Sequence, residues 1–80
     1  MNNKEILIKL QKIFCDIFDD EKIELRDEMT AEDIEDWDSL THINLIHDIE
    51  AEFQMEFTTE EIISAKNVGE FIRIIGDKIE

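Results

Sequence analysis

Apolar residues recur along the N-terminal stretch at Ile6, Leu7, Leu10, Ile13, Phe14 and Ile17. Spacings of three and four put them on one face of a helix rather than on one side of a strand. The pattern predicts a first helix from about Lys4 to Phe18, with Asn3 placed to cap its start. The many isoleucines favour strands on propensity, but no alternating stretch of useful length appears. Residues 19 to 37 lose the strong period and read as a long acidic loop. Within it, Thr30-Ala31-Glu32-Asp33 fits a capping box and predicts a short helical turn ending near Trp37. A loop of this length in a small domain is usually functional. Asp38 is then a good N-cap and Ser39 a first helical residue, followed by the stripe Ile43, Leu45, Ile46, Ile49 and Phe53. Thr58 with Glu61 opens a short segment through Ile62 and Ile63. Asn67 with Glu70 repeats the device for a last helix carrying Val68, Phe71, Ile72, Ile75 and Ile79. The expectation is all-α: a small four-helix bundle of three longer helices and one short one, with a long loop between the first two and no sheet.

Composition supports this reading and narrows the function. Zero Pro and two Gly argue against a turn-rich β-sandwich. At 80 residues the expected organisation is one domain, 1–80. Its core is thin, since a fold of this size buries only about 60% of its unfolded surface. A deep active site with floor, walls and lid has little room. The 22 Asp+Glu against 8 Lys+Arg give a formal charge of −14. Nucleic-acid binding needs a basic footprint and is excluded, and an anionic membrane surface would repel the chain. Such charge can also signal disorder. Yet 26 of the 80 residues are Leu, Ile, Val or Phe, well above the roughly 20% below which disorder becomes the default, so the chain should fold. No uninterrupted apolar run exceeds three residues and nothing resembles a secretory signal. Cys15 is the single cysteine, which leaves no internal disulfide. A cytoplasmic monomer is the expectation.

The familiar catalytic patterns fit poorly. His42 and His47 are five apart, off the i, i+4 spacing of helical metal ligands, and read as solvated surface residues. Cys15 falls beside the apolar stripe and reads as a part-buried, inert thiol. Asp16, Asp19, Asp20, Glu21 and Glu24 lack the register and the glycine of a calcium loop; charge alone allows weak, delocalised divalent-cation binding. Ser39 has no G-x-S-x-G elbow and no base at a credible spacing. As the first residue of a helix it suits a different chemistry. Helix N-terminal N–H groups and the dipole favour an attached phosphate there, and the hydroxyl would be exposed at the tip of the bundle.

Asp36-Trp37-Asp38-Ser39-Leu40, then Ile43, Leu45-Ile46, Ile49-Glu50 and Glu52-Phe53, resemble the attachment site and second helix of acyl carrier proteins. Phe57-Thr58, Ile62 and Asn67-Val68-Gly69-Glu70-Phe71 are similar to the third and fourth helices of that family. The resemblance covers essentially the whole chain. It implies that Ser39 receives 4′-phosphopantetheine from coenzyme A through a separate phosphopantetheinyl transferase (a holo-carrier synthase). It implies further that the arm carries acyl or aminoacyl groups as thioesters, the protein being a carrier and not an enzyme. Ile43 and Ile62 are the candidates for an apolar sheath around the carried group. Asp38, Asp48, Glu50 and Glu52, with Leu40 and Ile43 as apolar contacts, are the candidates for docking the basic patches of acyl-loading and acyl-processing enzymes.

The chain departs from the housekeeping fatty-acid pattern at Trp37, Thr41, Asn44, His47 and Ala51, and three of these changes remove an expected carboxylate. They point away from the ordinary fatty-acid synthase and toward a dedicated pathway, polyketide-like, aminoacyl or for cell-surface modification. The alternative from the residues alone is an acidic, non-catalytic interaction module in which Ser39 is only a helix-start residue.

Overall fold

The computed structural model describes residues 2–79. Four helices follow in order: α1 (Asn3–Phe18), α2 (Ser39–Phe53), α3 (Thr59–Ser64) and α4 (Val68–Ile79). The architecture is the expected all-α bundle, and its only strand-like pairing among the described residues is an isolated bridge between Thr30 and Asn67.

Each helix start is fixed by a side chain that satisfies an orphan N–H group. α1 begins one residue earlier than the pattern suggests: Asn2, not Asn3, is the cap, and its Oδ1 accepts from Glu5 N–H at 2.9 Å. Asp38 and Thr58 cap α2 and α3 in complete boxes. Asn67 Oδ1 accepts from Glu70 N–H at 2.8 Å to start α4, while the Glu70 carboxylate turns to Arg73 at 2.7 Å. The two longest helices, α1 and α2, end without glycine. Asp19 and Gln54 take left-handed conformations at φ 50° and 53° and donate their N–H groups back to the last turn.

One core joins all of this. Phe14, Phe71, Ile6, Leu10, Leu45, Ile46, Ile49, Ile75 and Val68 are fully buried. Leu7 and Ile17 flank the core only half-buried, and Phe18 is buried in their company. Ile43, expected in the stripe of α2, is instead 43% exposed. Its place on the helix, three residues before Ile46 but six before Ile49, rotates it out of the buried arc.

The segment between α1 and α2 departs most from expectation. The Thr30–Asp33 pair forms a turn, not a helix. Asp33 N–H donates to the Thr30 carbonyl at 2.9 Å, but the Thr30 hydroxyl takes Glu32 N–H at 3.2 Å and the Asp33 carboxylate takes Thr30 N–H at 3.0 Å. With the hydroxyl drawn to residue i+2, the box closes as a local turn and does not propagate. The segment is anchored by four buried side chains, Leu25, Met29, Ile34 and Trp37. It is also sewn to the start of α4, where Val68 N–H donates to the Met29 carbonyl at 3.0 Å and Gly69 N–H to the Asp27 carbonyl at 2.8 Å. A Cβ at Gly69 would sit 3.2 Å from that same Asp27 oxygen, so glycine is what permits the approach.

Candidate functional site

Ser39 is the first residue of α2 and is exposed. The backbone around it is set by the Asp38–Thr41 box. Thr41 N–H donates to Asp38 Oδ1 at 3.0 Å, and Asp38 N–H donates to Thr41 Oγ1 at 2.8 Å. The Thr41 hydroxyl hydrogen is directed at the Asp36 carbonyl, 3.0 Å away, or at that of Asp38, 3.1 Å away. The bond from Thr41 N–H holds the Asp38 carboxyl below its ordinary range. Among the described residues the Ser39 hydroxyl has no hydrogen-bond partner.

Ser39 lies on the rim of an open groove of about 770 Å³ between α2 and α3. Ile43, Ile62 and Ile63 form its apolar lip, and Lys66 stands on its margin. On the rim Ile63 is 68% and Ile43 43% exposed, and Leu40, next to Ser39 but outside the groove, is 71% exposed, so the surface around Ser39 carries exposed apolar side chains on both sides. Trp37 and His42 make the floor.

His42 corrects the sequence reading, which placed it in solvent. It is half-buried, its Nδ1 accepts from Trp37 Nε1–H at 3.2 Å, and its Nε2 lies 2.9 Å from the Ile62 carbonyl. Its ring lies within 18° of the Trp37 plane with centroids 6.2 Å apart, as an edge-to-edge hydrogen bond requires, and Phe71 lies 5.6 Å from it and 6.2 Å from Trp37. The signal was present in the sequence: His42 precedes Ile46 by four and Ile49 by seven, which puts it on the buried stripe. His47 is exposed, as expected. Both nitrogens of His42 are engaged, so it is not poised as a base toward Ser39. Cys15 is half-buried, 3.7 Å from the Ile23 carbonyl, and burial first, then Asp20, Asp16 and Glu21, pushes its thiol up and keeps it protonated.

The acidic candidates on α2 separate. Asp48 is exposed and lines a shallow cleft against α1 with Lys9, Lys12 and Glu52. Glu52 bonds Lys9 at 3.0 Å. Glu50 is half-buried, and its Oε2 accepts from Phe57 N–H at 2.8 Å, holding the connection into α3. Among the described residues no group of three His, Cys, Asp or Glu side chains is arranged to hold a metal ion, and no helix is long and apolar enough to cross a membrane.

A phosphate-linked arm fits these features. The attachment atom would be an exposed hydroxyl at a helix N-terminus, where the dipole favours negative charge. A lysine stands on the same rim, and an apolar groove opens beside it. The family described as the phosphopantetheine attachment site matches residues 9–75. A holo acyl carrier protein from Geobacter metallireducens, solved in solution by NMR, superposes with a TM-score of 0.86 at 40% identity, covering 91% of this chain and 84% of that one. Among curated proteins nothing matches the chain. With most of its length matched on both counts, the chain belongs to the phosphopantetheine-attachment family of acyl carrier proteins, non-catalytic carriers whose cofactor is a covalently held 4′-phosphopantetheine.

Proposed function

We propose that the chain is a single cytoplasmic carrier domain and that Ser39 is its attachment residue. The observation that carries this is the Ser39 hydroxyl: exposed, unpartnered among the described residues, and held by the Asp38–Thr41 box at the mouth of an apolar groove. When bound, the arm supplies a terminal thiol that carries acyl groups as thioesters. The chain's own contribution is positional. The box fixes the first turn of α2, Lys66 offers a cation near the phosphate, and the apolar lip shelters the base of the arm.

The docking surface we propose runs along α2 from Ser39. Leu40 and Ile43 are its apolar contacts, with Asp38 and Asp48 as accessible carboxylates for basic patches on the transferase and on acyl-loading and acyl-processing enzymes. Glu50 and Glu52 have internal partners that a docking cation would first displace. The uncharged Thr41, Asn44 and Ala51 support a dedicated pathway over the ordinary fatty-acid synthase.

The test is direct. Incubation with coenzyme A and a broad-specificity phosphopantetheinyl transferase should add one arm to the intact mass. Ser39→Ala, an exposed change expected within about 0.5 kcal/mol of neutral, should abolish the gain without unfolding the protein. No gain under conditions that modify a control carrier would favour the interaction-module alternative. A gain that survives the substitution would refute the assignment to Ser39.

A further inference from the structure

α3 is weakly anchored: none of its six residues is fully buried, and Ile62 packs only part-buried against the core. It is held at its ends by the buried Phe57 and Ala65, by Lys78, which bonds Glu61 at 2.8 Å, and by His42. The His42 contact has a specific physical reason. The last carbonyls of a helix lack intrahelical partners. Lys66 N–H, which would continue the ladder to Ile62, bonds the Ser64 carbonyl at 2.9 Å instead. The Ile62 carbonyl is thereby left for the His42 ring.

The two bonds of His42 select one neutral tautomer. Nδ1 accepts the Trp37 indole hydrogen, so Nε2 carries the imidazole hydrogen and donates it to Ile62. The result is a continuous polar seam, Trp37 to His42 to Ile62, across the floor of the groove beside Ser39. Beneath it Phe71 is fully buried, packed against both rings. Leu45, Ile46 and Ile49 next to it are 0–2% exposed. A chain entering from the groove would have to part His42 from Ile62, unpair two part-buried polar groups and then overpack a filled core.

We propose that His42 is a specificity-determining residue that closes the base of the groove, and that the group this carrier presents is a short acyl group lying over the Trp37–His42 floor. A long saturated chain finds no path inward and would stay in water. This rests on the reading of Ser39 as the attachment residue.

The test uses wild type, His42→Leu and His42→Gln, each loaded from butyryl-, octanoyl- and myristoyl-coenzyme A by the transferase and checked by intact mass. Glutamine can accept from Trp37 and donate to Ile62, so it should preserve the seam. The readouts are the rate of thioester cleavage by hydroxylamine and the solvent exchange of the Trp37 indole N–H, the one indole in the chain. In wild type and His42→Gln, cleavage should be independent of chain length and the indole should stay protected in every form. In His42→Leu, cleavage should slow about tenfold or more from butyryl to myristoyl, since burying a few methylenes suffices for that. Chain-length protection in wild type, or loss of indole protection on myristoylation, would overturn the proposal. That holds even if His42→Leu does not fold. Failure of the mass gain at Ser39 would instead sink the carrier reading, and is read separately.

Discussion

Phe71 is the residue through which the elements of this small bundle meet. It is fully buried on α4 and touches Phe14 of α1 at 6.4 Å, Trp37 of the loop at 6.2 Å, His42 of α2 at 5.6 Å and Phe57 before α3 at 6.1 Å. Phe71→Leu keeps most of the apolar burial and removes the ring. The pairs with Phe14, Trp37 and Phe57, at about 0.5–1.5 kcal/mol each, set the scale, and because pairs sharing one ring are not additive, the expected loss is about 2 kcal/mol. Against a total of about 4–12 kcal/mol for a domain of this length, that is a large share. The midpoint of thermal unfolding followed by circular dichroism should fall by about 8–16 °C, at about 4–8 °C per kcal/mol. A cycle with Trp37→Phe should show coupling, because the two rings stack at 23°. A fall of less than about 3 °C with no coupling would mean the cluster fills space without organising the fold, and the reasoning would be refuted.

The remaining expectations concern charge and the site. Asp38 is held ionised below its ordinary range by Thr41, so its contribution is complete above the ordinary carboxylate pKa and is lost as pH falls through the lower folded value; Asp38→Asn should be less stable than wild type at neutral pH, with the gap in melting temperature closing below about pH 4. A gap constant with pH would contradict the cap's charge dependence. Lys78→Met removes the partner of Glu61, and amide exchange at Glu61, Ile62 and Ile63 should quicken several-fold while exchange in α1 stays unchanged. Added salt or magnesium should raise the melting temperature, because the formal charge is −14 and screening relieves repulsion; indifference to both would show the charges to be balanced in space. Leu40→Ala should leave stability within about 0.5 kcal/mol and lower the transferase's efficiency about tenfold or more, as loss of a docking anchor does; an unchanged rate would remove Leu40 from the docking surface.

Helix existence was legible because the apolar period and the caps are both local. Asp38, Thr58 and Asn67 each announce the helix they start, and each bonds the N–H three residues on. The ends were harder, since Asp19 and Gln54 adopt left-handed backbone without the glycine that usually marks it. The loop was hardest. Leu25, Met29, Ile34 and Trp37 follow no helical or strand period, because they are anchors of irregular backbone whose spacing is set by the surface they cover. Its register comes from contacts with Val68 and Gly69, some forty residues away in sequence, and no window along the chain reports those. Ser39 was visible as a helix start with a free hydroxyl. His42 was visible only as a residue on the buried arc of α2, since its partners, an indole in the loop and a carbonyl at the end of α3, are tertiary.

The total charge gives a poor account of the surface beside Ser39. Around α2, the exposed residues at Leu40, Ile43, Asn44, His47 and Ala51 follow one another on a single face, and none carries a carboxylate. Glu52 is bonded to Lys9 of α1 and Glu50 to Phe57 N–H, while Asp48 stays exposed at the edge of that face. Thr41 closes the cap by donating and accepting through its hydroxyl, work that needs no ionised group at that position. A partner using the docking surface proposed beside Ser39 would feel the acidic field of the whole protein at a distance, where it steers encounter, and on contact would meet an apolar strip edged by Asp38 and Asp48. Rate and recognition are then carried by different parts of the molecule. On the proposed docking surface, salt should slow association with every basic partner alike, whereas substitutions at Leu40, Ile43 and Ile63 should change the ranking of partners.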